Sequence, residues 1–231
     1  IKGGITTRRR HKAVLNAVGN VNKQIAGKIV GMDCTQQSEI DKAMIELDGT
    51  ENKEKLGANA ILAVSMAVCR AGAASNEMPL FKYIAKISGN NGKVLPTPQM
   101  NVMNGGKHAG LDEDIQEQMI VAVGAKTYSQ AVQASVETYH TLKGILKKKF
   151  GAQATLIGDE GGFVPKVGSV QERLDLMNQA IEEAGYKDIM SLAIDSASSE
   201  FFEGGKYRLY GKEYSSGELV DFYADLVSTY K

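Results

Sequence analysis

The feature that most constrains the fold of this chain is a change in residue pattern at the turn-rich stretch Gly89-Asn90-Asn91-Gly92. Before this stretch, apolar residues recur every three or four positions, which predicts a series of helices. After it, strand-like runs alternate with helical runs, which is typical of an α/β sheet or barrel. We therefore expect two domains, a small helical or α+β domain over residues 1–90 and part of a barrel over residues 91–231.

The spacing of apolar residues and the positions of cap residues predict where the helices and strands lie. The helices of the first part are expected at residues 12–29, from a cap at Ser38, at 57–74 and from Pro79 to Ile87. The second part is expected to have helices at 127–149 and 169–184 and strands at Met100–Met103, Met119–Val123, Ala154–Ile157 and Ser191–Ile194. In an α/β barrel the functional groups lie at the C-terminal ends of the strands, so the polar residues after these runs are the first candidates.

Composition narrows the classes of partner. The 231 residues contain 27 basic and 27 acidic side chains, so no bulk attraction to nucleic acid or to an acidic membrane is expected. The basic run Arg8-Arg9-Arg10 is better interpreted as a solvated surface than as a nucleic-acid patch.

Cys34 and Cys69 form no CxxC motif, which favours a reduced, cytoplasmic protein. Residues 58–74 are apolar but contain polar side chains, and we expect a buried helix there, not a membrane span.

Three groups of polar residues are candidates for chemistry. In Gly158-Asp159-Glu160-Gly161-Gly162, two adjacent carboxylates would project after a predicted strand, although an ordinary acidic turn explains the same spacing slightly better. Asp195 ends another strand and is either a hard oxygen ligand for Mg²⁺ or, when considered alone, more simply a cap. His108 lies in a glycine-rich loop that leads to Gln116 and Glu117, and this loop is either a mobile lid or an ordinary surface loop.

The usual signatures of other enzyme classes are absent from the sequence. It contains no GxGxxG, Walker A, GxSxG or HExxH motif. The sequence therefore offers no motif that would indicate a nucleotide-binding protein, a serine hydrolase or a zinc protease.

Taken together, four strings resemble the enolase family, and they occur in the family's order. They are Ile45-Glu46-Leu47-Asp48-Gly49-Thr50-Glu51-Asn52-Lys53 with Leu56-Gly57-Ala58-Asn59-Ala60-Ile61-Leu62, Pro96-Thr97-Pro98 through Asn101-Val102-Met103-Asn104-Gly105-Gly106, Gly158-Asp159-Glu160-Gly161-Gly162-Phe163-Val164-Pro165, and Ala193-Ile194-Asp195-Ser196-Ala197-Ser198-Ser199-Glu200-Phe201. The resemblance extends from about Lys12 to Lys231. It implies an enolase-like α/β fold, with a small N-terminal domain followed by the first part of a TIM-type barrel.

The resemblance also implies a function and roles for individual residues. The family's reaction is the Mg²⁺-dependent, reversible dehydration of 2-phosphoglycerate to phosphoenolpyruvate in glycolysis and gluconeogenesis. Glu160 and Glu117 match the carboxyl groups that assist departure of the hydroxyl group. His108 and Gln116, together with Glu117, match substrate-binding residues, and Asp195 matches the first of three acidic Mg²⁺ ligands. The resemblance further implies a homodimer or higher homo-oligomer, with no nucleic acid or membrane partner.

Several family features are not found in this sequence. Gln118 stands where an aromatic residue is usual, and Lys107, Val164 and Lys166 are further departures. The second and third metal ligands, the lysine base and the phosphate-binding residues are absent, as is the N-terminal loop that helps to bind a second Mg²⁺. We therefore expect a partial enolase that is incomplete by itself. The alternative is a truncated, inactive enolase-like module with a binding or structural role.

Overall fold

A computed structural model describes residues 12–91, 94–106, 110, 113–158 and 160–230. The chain divides into two compact units, Ile1–Val94 and Leu95–Lys231. The basic run Arg8-Arg9-Arg10 lies outside the described residues.

In the described part of the first unit, all of the regular elements are helices. α1 (Lys12–Gly19) continues through a π-helical turn, Asn20–Ile25, into α2 (Ala26–Ile29), and is followed by α3 (Gln37–Asp48), α4 (Ala58–Ser75) and α5 (Leu80–Ser88). The apolar residues that predicted these helices form a small core, consisting of Ile25, Ile40, Met44, Leu56, Ala60 and Ile61. The periodicity of the sequence thus located the helices because it reflects burial on one face of each.

Two details of the first unit differ from the expectation. Ser38 does not cap α3, because the helix begins one residue earlier, at Gln37, whose side chain bonds to Ser65 on α4. We expected α4 to be buried, but only 22% of its 18-residue length is buried. Among the described residues it is the one helix whose length and composition would allow it to cross a membrane.

The described part of the second unit contains two antiparallel sheets and three long helices. Its elements are β1 (Gln99–Asn104), β2 (Glu117–Val121), α6 (Tyr128–Phe150), α7 (Val170–Glu183), β3 (Ser191–Asp195), β4 (Phe202–Glu203), β5 (Lys206–Leu209), β6 (Lys212–Tyr214) and α8 (Ser216–Thr229). The strand order is β1-β2-β3 in the larger sheet and β4-β5-β6 in the smaller one. Both pairings in the larger sheet are antiparallel.

Helices α6 and α7 pack against each other, and both contact β2. Their buried faces, which include Leu142, Leu146, Leu174 and Met177, join Ile120 of the sheet in one core. Burial of these side chains supplies most of the stabilisation of the unit, at roughly 25 cal/mol per Å² of apolar surface removed from water. Serine or threonine side chains cap the N-termini of all three long helices: Thr127, Ser169 and Ser215.

The strand expected at Ala154–Ile157 is wrong. Ala152–Thr155 forms a 3₁₀ turn, in which the Thr155 hydroxyl donates to the Ala152 carbonyl. Gly151, with φ at 84°, ends α6 and turns the chain directly into this segment. Ile157 alone pairs, as an isolated bridge to Phe163. The apolar run was misassigned because a short run of this kind does not by itself distinguish a strand from a helical turn.

Candidate functional site

Three polar residues form a row at one edge of the larger sheet. Asn104 ends β1, Glu117 begins β2 and Asp195 ends β3, and the three are register partners across the sheet. Directly opposed residues on neighbouring antiparallel strands lie about 4.5–5.5 Å apart at Cα and project on the same face. Asn104 is fully buried, whereas the Asp195 side chain is exposed. At this edge the buried Asn104 therefore lies opposite Glu117, and Glu117 lies opposite the exposed Asp195.

The direction of β2 differs from the expected arrangement. The predicted site residues were expected at the C-terminal ends of strands, which holds for Asp195. Gln116 and Glu117, by contrast, lie at the start of β2, and they reach the same edge because β2 runs antiparallel to β1 and β3. A strand that reverses direction presents its N-terminal end where its neighbours present their C-terminal ends.

Glu160 lies in a tight loop next to the same edge. Gly158 N donates to the Gly162 carbonyl at 2.9 Å, and Gly161 N donates to the Gly158 carbonyl at 3.0 Å. Phe163, at the end of the loop, forms a parallel bridge with Met103 of β1. Through this bridge the loop lies alongside β1, and the Glu160 carboxylate accepts a hydrogen bond of 3.1 Å from Asn101 Nδ2. The structure thus brings the candidate residue Glu160 to the strand that carries Asn104.

The last glycine of this loop, Gly162, is required by packing. A Cβ at Gly162 would lie 2.5 Å from Asn104 Oδ1 and 3.2 Å from Asn101 Oδ1. A contact of 2.5 Å is well inside van der Waals distance, so any side chain at this position would displace the loop or the amides. The Gly-Gly pair that the sequence places after Glu160 therefore allows the loop to approach β1 closely.

The segment that leads into Glu117 is held by its backbone and by a buried ion pair. Gly105 N donates to the Gln116 carbonyl at 2.9 Å. Asp114 is buried and receives two hydrogen bonds from the buried Arg173 on α7. A Cβ at Gly105 would lie 2.3 Å from the Ile115 carbonyl oxygen, so the two stretches of chain are in direct contact. Gln116 is consequently fixed at the entrance to β2.

Two candidates cannot be placed in this way. His108 and Asp159 lie outside the described residues, so their predicted roles stay predictions. Glu117 at the start of β2 and Glu160 in its loop come from distant parts of the chain and are brought to one edge of the sheet together with Asp195. No single stretch of sequence contains all three.

The fit of Mg²⁺ to this edge can be judged from the donor set. Asp195 has the right chemistry, since Mg²⁺ prefers carboxylate oxygens. One of its oxygens, Oδ1, accepts a hydrogen bond of 2.9 Å from Ala197 N, which also makes it a turn cap. Across the described ranges, no group of three or more histidine, cysteine, aspartate or glutamate residues could hold a metal ion. The described part of the chain therefore does not by itself form a complete Mg²⁺ centre.

Sequence reasoning assigned no role to several residues that shape this site. Asn101 and Asn104 enter the sequence interpretation only as part of a motif, and Tyr139 and Arg173 have no predicted role. Asparagine is disfavoured in strands, so two asparagines within a short strand were a usable signal. A helical tyrosine and a helical arginine carry no comparable signal, because both are common on solvated helix surfaces.

Two family models match the chain. Residues 3–84 match the enolase N-terminal domain, and residues 92–231 match the enolase C-terminal TIM barrel domain. The matches confirm the expected enolase-like α/β fold. The apolar helix α4 lies within the first match and so belongs to the domain that this model describes.

Curated relatives named enolase agree with these matches. The chain is 53% identical to the Thermococcus kodakarensis enolase over 228 residues, which cover 97% of this chain and 52% of the relative. It is 54% identical to the Pyrococcus furiosus enolase over 223 residues, which cover 95% of this chain and 51% of the relative. The Methanocaldococcus jannaschii enolase is 51% identical over 219 residues. The chain spans about half the length of these relatives.

Proposed function

The chain belongs to the enolase family, a family of lyases, and from this premise we propose that it supplies one part of the active site for the dehydration of 2-phosphoglycerate to phosphoenolpyruvate. Because it spans about half the length of its relatives, the proposed activity belongs to a complete protein that also contains the remaining half. The observation that carries the proposal is the shared sheet edge. There, Glu117 and Asp195 are register partners, and Glu160 is bonded to the neighbouring strand.

The proposed roles follow from the chemistry of dehydration. Hydroxide is a poor leaving group, and a positioned carboxylic acid that donates a proton allows it to depart as water. Glu160 and Glu117 are the proposed carboxyl groups for this step, because the loop that contains Glu160 and the start of β2 at Glu117 lie at the same edge of the sheet. Gln116 and His108 are the proposed substrate-binding residues.

Mg²⁺ is the proposed cofactor. When bound, a divalent cation would offset the negative charge that builds up on a substrate that already carries a carboxylate. Asp195 would supply one oxygen ligand, and the other protein ligands would come from the remainder of the complete protein. This division agrees with the incomplete donor set of the described residues.

The cellular setting is part of the proposal. We propose a cytoplasmic protein, in keeping with the free Cys34 and Cys69 and with a net charge of zero, and we propose no nucleic acid or membrane partner. We also propose that the complete protein is a homodimer or a higher homo-oligomer. Exposed apolar side chains on the first unit, including Leu62, Met66 and Phe81, are compatible with a surface that is covered in the complete assembly.

Complementation tests this function. The chain is assayed for formation of phosphoenolpyruvate by absorbance with saturating Mg²⁺, alone and mixed with the segment of the Thermococcus kodakarensis enolase that this chain does not match. We expect negligible turnover by the chain alone and recovery of turnover in the mixture, lost again with Glu160→Gln. Robust turnover by the chain alone would show that residues outside it are not needed. A stable complex without turnover would favour the alternative, an inactive enolase-like module.

A further inference from the structure

We propose that Asn101 and Tyr139 are positioning residues that hold the loop segment 160–163 through separate contacts and thereby orient Glu160 at the sheet edge. This inference rests on the proposed function, because it gives Asn101 and Tyr139 their role through Glu160. Neither residue is itself proposed to touch the substrate.

A register shift in β1 creates the first contact. Asn101 opposes Met119 and Met103 opposes Gln118, so β1 contains one more residue than β2 between these pairs. In a regular strand, residues three apart project on opposite faces of a sheet. The extra residue acts as a β-bulge and shifts the alternation of faces by one position. Asn101 and Asn104 therefore lie on the same face of the sheet, the face that also carries Glu117 and Asp195.

The Asn101 side chain uses its amide nitrogen twice. Nδ2 donates to Asn104 Oδ1 at 2.6 Å and to Glu160 Oε2 at 3.1 Å. A primary amide has two N–H donors, so both bonds can form together. The buried Asn104 thus fixes the orientation of the Asn101 amide, which in turn holds the Glu160 carboxylate. Since a carboxylate oxygen only accepts, aspartate at position 101 could not replace these donors.

Tyr139, on α6, makes the second contact with the loop. Its hydroxyl donates to the Gly161 carbonyl at 2.8 Å, next to Glu160. Its ring stacks on Phe163, with centroids 4.4 Å apart and planes 17° from parallel. Partial burial raises the pKa of Tyr139, so the hydroxyl remains protonated and able to donate at neutral pH.

The end of the loop is also anchored to β1 through its backbone. Phe163 N donates to the Val102 carbonyl at 2.9 Å, and Asn104 N donates to the Phe163 carbonyl at 2.8 Å. Tyr139 restrains Gly161, and Asn101 restrains the Glu160 side chain. These two contacts are therefore specific to the orientation of Glu160, beyond the general fold of the loop.

Two variants with matched controls test this role in the complemented enzyme described above. Tyr139→Phe removes one hydroxyl and keeps the stacked ring, and Tyr186→Phe is its control, since the Tyr186 hydroxyl donates to Glu137 away from the loop. Asn101→Asp keeps the shape and removes the amide donors. Its control is Asn178→Asp, which adds the same charge on α7.

We expect Tyr139→Phe to lower kcat roughly 5- to 10-fold, as for loss of one hydrogen bond, with KM within about twofold. Asn101→Asp should lower kcat about 100-fold, because small misplacements of catalytic groups have effects of that order. In the isolated chain, amide hydrogen exchange at residues 158–163 should accelerate in both variants and in neither control.

The outcomes separate this inference from the proposed function. Variants that match their controls in both kcat and loop exchange would overturn the inference. A complemented wild type without turnover would instead overturn the proposed function, and loop exchange would then decide alone whether the two residues hold the loop. Circular dichroism shows whether each variant is folded, and a variant that unfolds is replaced by Asn101→Ser or Tyr139→Leu in the same exchange measurement.

Discussion

Arg173 and Asp114 form a buried ion pair in which two guanidinium nitrogens donate to separate carboxylate oxygens, at 2.7 and 2.5 Å. Arg173 also donates to the Val167 carbonyl at 3.2 Å, so it joins three parts of the second unit. The Tyr210 hydroxyl lies near this pair, and its pKa is raised by burial and by the Asp114 charge. Because Gln116 and Glu117 follow Asp114 closely, the pair fixes the chain just before two proposed site residues.

The first prediction concerns this ion pair. Arg173→Ala leaves a buried carboxylate without its counter-charge, and we expect a loss of about 3–5 kcal/mol in the free energy of unfolding. Arg208→Ala is the matched control, because Arg208 pairs with Glu203 and Glu213 at the surface, and its loss should stay below about 1 kcal/mol. Urea unfolding of the isolated chain, followed by circular dichroism, measures both. Equal losses in the two variants would mean that the buried pair contributes no more than a surface pair.

The second prediction concerns the close approach at Gly162. Gly162→Ala places a methyl group 2.5 Å from Asn104 Oδ1, and the resulting displacement should cost about 1–3 kcal/mol, as for other overpacked sites. Gly168→Ala is a suitable control, because no atom lies within 4 Å of the added Cβ. Thermal unfolding compares the two variants. In the complemented enzyme Gly162→Ala should also lower turnover, and unchanged stability and turnover would show that the loop has room to adjust.

The third prediction is a pH dependence in the first unit. Burial of Asp48 opposes its ionisation, but hydrogen bonds from the Thr50 side chain and from the backbone of Leu56 and Thr50 outweigh this and lower its pKa. A group whose pKa is lower in the folded state contributes stability above its unfolded pKa, near 3.9, and that contribution is lost as the pH falls through the folded value. Unfolding should therefore become easier in acid below about pH 4.

Asp48→Asn isolates this contribution. The variant should be less stable at neutral pH, and the difference from wild type should shrink as the pH falls below about 4. Urea midpoints measured across this range test the sign. A difference that is constant at every pH would indicate that the ionisation of Asp48 is not linked to folding.

The fourth prediction concerns metal binding by the isolated chain. One carboxylate is too few protein ligands to hold Mg²⁺ tightly against its water shell, so we expect a Kd of roughly millimolar or weaker. Asp195→Asn should weaken binding further, whereas Asp221→Asn, on the exposed surface of α8, should not. Calorimetric titration with Mg²⁺ compares the three proteins. Micromolar binding, or the same effect from both substitutions, would contradict the ligand role of Asp195.

Much of the fold was predictable because its causes are local. The periodicity over residues 127–149 and 169–184 predicted α6 and α7 to within about a residue at each end, since each helix buries one face. The short strand-like run Ser191–Ile194 likewise predicted β3, which ends one residue later, at Asp195. The run at Ala154–Ile157 failed because the nearby glycines direct the chain into a turn, and the apolar residues themselves do not record this.

The candidate site was predictable only in part. The strings around Glu160 and Asp195 could be recognised from their order, so the sequence by itself determined the family and the candidate carboxylates. Their common position could not be read from the sequence, because β2 reverses direction and one extra residue in β1 brings Asn101 to the face of Asn104. Strand direction and register depend on pairing between segments far apart in the chain. Only the tertiary structure decided which side chains share an edge, and which partners, the buried Arg173 and the partly buried Tyr139, hold them there.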